Sequence, residues 1–150
     1  MVKLKPMIII FAFLILVLQG CGESESEKPT VVVGEWGTDS NSMASDPKNK
    51  DLNKFVLKFA IQLYGREFKI EQAPQKDVLI FKFLGKMPKY YGIQEKKDNL
   101  YTIKDEKSGE IVQIEVVDPG RMLLTLPKLE HPLVPKADKP VTVHLVRKKK

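Results

Sequence analysis

From Arg66 to Lys148 the chain alternates between short runs of β-forming residues and polar turns, and that pattern leaves few folds open. REFKIEQ, DVLIFKFLG, YYGIQEKK, NLYTIKD, EIVQIEVV and RMLLTLP are six such runs. Lys97-Asp98-Asn99, Lys107-Ser108-Gly109 and Asp118-Pro119-Gly120 separate some of them with residue types that tolerate hairpin geometry. Connections this short make successive strands antiparallel neighbours, so the segment reads as a β-meander. PVTVHLVRK supplies a last strand, and the β-branched, glycine-punctuated VVVGEWGT supplies a first one over Val31 to Trp36. The expected fold is mainly β, an antiparallel meander of about eight strands, the number at which a sheet closes into a barrel without exposed edges.

One helix is expected between the first two strands. In DPKNKDLNKFVLKFAIQLYG, Asp46 suits an N-cap, Pro47 the first helical position and Gly65 the left-handed stop. Leu52, Phe55, Val56, Phe59, Ala60 and Leu63 recur at helical spacing, while Lys50, Lys54, Lys58 and Gln62 fall on the opposite side. A strand through Lys54 to Phe59 is the competing reading.

The N-terminal segment reads as a targeting signal. Lys3 and Lys5 precede MIIIFAFLILVL, an apolar stretch of about a dozen residues where a membrane-spanning helix needs about 20. Leu18, Gln19, Gly20 and Cys21 follow, and LQGC resembles the lipobox of bacterial lipoproteins. The resemblance implies a diacylglycerol on the Cys21 sulfur, signal-peptidase cleavage between Gly20 and Cys21, and acylation of the new amino group. Several acyl chains anchor firmly where one does not. A conventional secretory leader with a stray cysteine is the alternative. Gly22, in place of an aspartate after the cysteine, resembles lipoproteins sent to an outer membrane, where the cell has one. Cys21 is the sole cysteine, so no internal disulfide forms and the domain depends on its apolar core. GESESEKPT is polar and acidic and reads as a tether. The expected organisation is a signal peptide over 1–20, acylated Cys21 with a linker over 21–30, a barrel over 31–147 and a basic tail over 148–150.

Gly34-Glu35-Trp36 resembles the G-x-W signature of lipocalins, and Arg147 on the last strand matches the arginine that packs across that tryptophan. The resemblance implies that Trp36 and Arg147 close one end of the barrel, through a cation–π contact and hydrogen bonds to loop carbonyls. The chain departs from lipocalins in placing its helix between the first two strands and in carrying V-D-P-G around Asp118 in place of T-D-Y. Small bacterial lipoproteins with a lipocalin-like domain often keep a helix in this early position.

Composition narrows the chemistry. The formal charge is +6, but two of the basic residues lie in the leader and four, Arg147 to Lys150, form a terminal cluster; the remaining nineteen match the nineteen acidic residues. Nucleic acid is therefore not an expected partner, since phosphate binding needs a basic stripe across a folded face. His131 in a proline-rich loop and His144 in a strand are the only histidines, and no ligand cluster suits a metal. No G-x-S-x-G turn is present, and Asp105-Glu106 reads as a solvated turn. No catalytic residue or cofactor is expected. Phe68, Phe81, Phe83 and Tyr101, with Tyr64, Tyr90 and Tyr91, either line a ligand cavity or fill the barrel. Leu126 to Pro140, with four prolines, reads as a plain crossing loop or a docking strip. The basic tail is either solvated or set against anionic headgroups. The reading that results is a non-catalytic, membrane-anchored envelope lipoprotein outside the cytoplasm, binding an apolar small molecule, a lipid or an envelope protein. A structural or assembly lipoprotein with a filled barrel is the alternative, and an envelope hydrolase a more distant one.

Overall fold

The computed structural model describes residues 31–65, 68–75, 77–128 and 139–149. They form a closed barrel of eight strands, each antiparallel to the next in sequence and the last antiparallel to the first, an up-and-down, lipocalin-like architecture. The strands are β1 Gly34–Thr38, β2 Phe68–Gln72, β3 Val78–Phe83, β4 Lys89–Lys97, β5 Leu100–Asp105, β6 Ile111–Asp118, β7 Arg121–Leu126 and β8 Val141–Arg147. Each of the six meander runs and the closing run lands on one strand.

Alternation explains the interior. Phe68 and Ile70 point inward on β2 while Lys69 is exposed; Leu79 and Phe81 do so on β3, Tyr101 and Ile103 on β5, Met122 and Leu124 on β7. Each fully buried large apolar side chain contributes about 1.5–3 kcal/mol. The core is accordingly contiguous around the barrel. Tight turns use local chemistry: Asp98 adopts a left-handed φ of 52° between β4 and β5, and Gly109 a φ of 74° between β5 and β6. Register shifts between Ile93 and Glu95 and between Val116 and Asp118 insert extra residues that bend β4 and β6 around the closing sheet.

Two expectations about the first third of the domain need correction. β1 runs over Gly34–Thr38 rather than from Val31, because the carbonyls of residues 31–33 are bonded to Trp36 and Arg147 across the end of the barrel. A single helix from Pro47 to Gly65 does not form. The connection folds as α1, Ser40–Ser45; a 3₁₀ turn, Pro47–Asn49; and α2, Lys54–Gly65. Asp39 caps α1 and Asp46 caps the 3₁₀ turn, each by accepting a backbone N–H. Asn53 then accepts the Phe55 N–H at 2.9 Å as α2 begins. The buried face of α2 follows Val56, Ala60 and Tyr64 at four-residue spacing, and Phe55, assigned to the apolar face from its period, is 70% exposed.

The topology places this connection at one end of the barrel, where β1 ends and β2 begins. The β3–β4 and β5–β6 turns lie at the same end. The start of β1, the β6–β7 turn and the end of β8 lie at the other.

Candidate functional site

At the end where β1 starts, Arg147 ties three segments together. Its Nη2 donates to the Val31 carbonyl at 2.6 Å, Nη1 to Val33 at 2.9 Å and Nε to Pro119 at 2.9 Å. The guanidinium carbon stands 4.5 Å from the centroid of the Trp36 ring, which is buried and donates its own Nε1 to the Val32 carbonyl at 2.9 Å. Gly34 is required here for two reasons. Its φ of 151° suits glycine, and a Cβ at this position would collide with the Arg147 guanidinium. The two residues paired by resemblance thus lie in direct contact, backed by the strand register Trp36↔Arg147.

At the opposite end, aromatic rings form a connected ladder from helix to barrel wall. Tyr64 of α2 meets Phe68 and Phe83 edge-on, at 5.9 and 5.6 Å between centroids. Phe68 stacks on Phe83 at 5.5 Å, and Phe81 lies 6.1 Å from Phe68 and 4.6 Å from Tyr91. Three of the four residues assigned to a cavity from sequence, Phe68, Phe81 and Phe83, therefore belong to one cluster, which Tyr64 and Tyr91 extend. Tyr101 stands apart on β5, its ring 5.3 Å from the Lys96 ammonium, and Tyr90 faces outward. Burial drives the Tyr64 hydroxyl well above its usual range, with Tyr91 and Glu110 adding to the rise. Tyr91 is raised in the same way by burial and then by Asp105 and Glu110. Both hydroxyls stay neutral in any physiological medium, so the ladder itself presents apolar faces and neutral polar tips. A rim pocket of about 370 Å³ opens beside them between α2 and the strands, lined by Leu63, Tyr64, Tyr91 and Leu126 with Lys89, Lys128, Ser108 and Glu110.

The outer wall of β8 carries a polar constellation that sequence reasoning missed. β1 stops at Thr38, so the edge of β8 beyond it has no strand beside it. Asn49, 1% exposed, takes the vacant place: Oδ1 accepts the Thr142 N–H at 3.0 Å, and Nδ2 donates to the Thr142 carbonyl at 2.7 Å and to Met43 at 3.0 Å. Close by, the His144 Nε2 lies 2.6 Å from Asp46 Oδ2. Burial raises the Asp46 carboxyl, but its bonds with His144 and the Lys48 N–H outweigh that and hold it below its ordinary value. Asp39 is lowered chiefly by the Ser42 hydroxyl and N–H. Asp39, Asp46 and His144 border a pocket of about 430 Å³ between α1 and strands β7 and β8. Of the two serine hydroxyls there, Ser42 donates to Asp39 at 2.6 Å and Ser45 to the carbonyls of Asn41 and Ser42. The constellation caps the helices and pins them to the barrel. The only signal for it in the sequence is the pair of helix-capping aspartates; the contacts with Thr142 and His144 span more than ninety residues.

Asp105 also departs from expectation. Rather than a solvated turn carboxylate it is 4% exposed and accepts the Lys107 and Ser108 N–H groups at 2.7 and 2.9 Å. Burial raises it, the two backbone bonds and Lys89 lower it, and the net result is a depressed carboxyl. Among the described residues no group of three or more His, Cys, Asp or Glu is placed to hold a metal ion, and no helix is long and apolar enough to cross a membrane. Gly20, Cys21, His131 and most of the proline-rich stretch lie outside the described residues. Compared with protein-family models, curated proteins and solved structures, the chain matches no family, no curated protein and no solved structure.

Proposed function

We propose that the protein is a non-catalytic lipoprotein of the cell envelope, held to a membrane through Cys21, whose barrel takes up an apolar small molecule or lipid chain at the helical end. The observation that carries this reading is the closed barrel with an apolar interior and an aromatic ladder running from α2 to the wall. A barrel of eight strands holds either its own side chains or one small ligand. At the Trp36 end a guanidinium with three carbonyl partners locks the chain in place. The helical end is covered by the connection between β1 and β2 instead, and such segments move more readily than a hydrogen-bonded sheet. Entry there requires a displacement of α2. The LQGC segment and the acidic stretch after it support the anchor.

The mutual contact of the five rings favours a second reading, in which the barrel is filled and the protein serves as a structural or assembly factor. Native mass spectrometry of the domain from Thr30 onward separates the two. Carriage of an apolar molecule predicts a mass excess that organic extraction removes, whereas a well-folded sample at its bare mass, unchanged after incubation with lipid, supports the filled barrel. The anchor is tested by fractionating cells that make the intact protein or its Cys21→Ala variant. Membrane association is expected for the first alone, and recovery of the intact protein unmodified from the culture medium overturns the anchor.

A further inference from the structure

The β3–β4 hairpin carries the most exposed large apolar side chains of the described residues. Met87 is 87% and Leu84 72% exposed at its tip, and Tyr90, 46% exposed, faces out from the adjoining strand. Gly85 turns the chain with a φ of 71° and has open space around it, and the Lys86 N–H closes the turn on the Phe83 carbonyl at 3.1 Å. The tip is thus a folded projection. From Val78 to Ile93 the hairpin contains three lysines and no acidic residue. Lys82 is paired with Glu71 and Lys89 lies 3.8 Å from Asp105, but Lys86, between Leu84 and Met87, has no ion-pair partner among the described residues.

Leu84 and Met87 leave apolar surface in water while the Lys86 ammonium between them is well solvated, a combination suited to the boundary of a bilayer, where the apolar groups enter the acyl region and the ammonium meets phosphate. We propose that this hairpin tip is a second membrane contact, inserting Leu84 and Met87 into a bilayer that contains anionic phospholipid while Lys86 binds its headgroups. The proposal rests on the anchored reading above. Reach allows it: the ten residues from Cys21 to Thr30 extend to roughly 33–36 Å, and β4, nine residues long, spans about 30 Å. A domain tethered near Val31 can therefore lie along the membrane with the tip, at the far end of the barrel, in contact. In that posture the helical end, where an apolar ligand would enter, opens close to lipid.

The test uses the full lipidated chain in vesicles, with an environment-sensitive fluorophore on Met87→Cys and, as a control at the other end, on Val117→Cys, which is 50% exposed. With phosphatidylglycerol present, the label at 87 is expected to shift to the blue and to be quenched by lipid-borne quenchers, and the label at 117 to behave as in water. Leu84→Ser should reduce the inserted fraction at label 87 about tenfold, and Lys86→Glu should remove its dependence on anionic lipid. An unquenched label at 87, equal quenching at both labels, or protection only by an added envelope protein without vesicles would each overturn the proposal. Failure of the anchor shows separately: a thioether at Cys21 leaves no free thiol, so fluorophore uptake by the unsubstituted chain refutes the anchor. The tip is then assayed in a Cys21→Ala chain.

Discussion

Arg147 shows how one residue can be legible in sequence for its partner and still conceal most of its work. Its contact with Trp36 follows from the G-x-W resemblance, but the three carbonyls it bonds belong to residues 31, 33 and 119, and only the folded barrel brings them within reach of one planar fork. Each bond is worth about 1 kcal/mol net, and the ring contact somewhat less at a partly exposed site. Arg147→Ala should therefore destabilise the domain by about 3 kcal/mol in urea titration. Arg147→Lys should recover little, because an ammonium cannot meet three divergent acceptors; a lysine variant as stable as the wild-type protein would refute the fork. His144 and Asp105 teach the same point in reverse. Each looks ordinary in its own run, and each is defined by groups that the fold delivers to it.

At the scale of elements, the strands were readable because their signal is local. Alternation and turn chemistry act within a few residues, and the seven runs from Arg66 onward coincide with β2 to β8 to within a residue or two. The β1–β2 connection is less legible in the sequence. Its helical period and its caps are real, but Asp46 and Pro47 start a 3₁₀ turn, since Asn49 is drawn into the barrel wall and the backbone must turn before α2 can begin. Period alone does not say which stripe of α2 meets the barrel, and Phe55 falls outside it. These assignments carry different weights. Asn49→Leu leaves the Thr142 N–H and carbonyl and the Met43 carbonyl without their partners, and should cost about 3 kcal/mol. Phe55→Ser touches an exposed position and should change stability by less than about 0.5 kcal/mol. Urea midpoints of the two variants measured side by side check the ranking, and a larger loss for Phe55→Ser would overturn the assignment of the buried face.

For the whole molecule, depressed carboxyls set an acid limit. Asp39, Asp46 and Asp105 all sit below the ordinary aspartate value of 3.8 in the folded protein. The unfolded chain therefore binds protons first as pH falls, and the stability these groups contribute is present above about pH 4 and lost as pH drops through their folded values. Urea midpoints should decline below about pH 4, and the decline should be shallower in Asp105→Asn; an identical profile would remove Asp105 from the account. Sequence by itself determined the strand count, the antiparallel order and the presence of a helical insertion, because hydrophobic alternation and turn residues are properties of neighbours along the chain. Which helix face is buried, how the bare edge of β8 is completed and where the aromatic rings meet were decided only by the closed barrel. Those contacts join residues far apart in sequence, and their energy exists only once the sheet has curved enough to bring its first and last strands together.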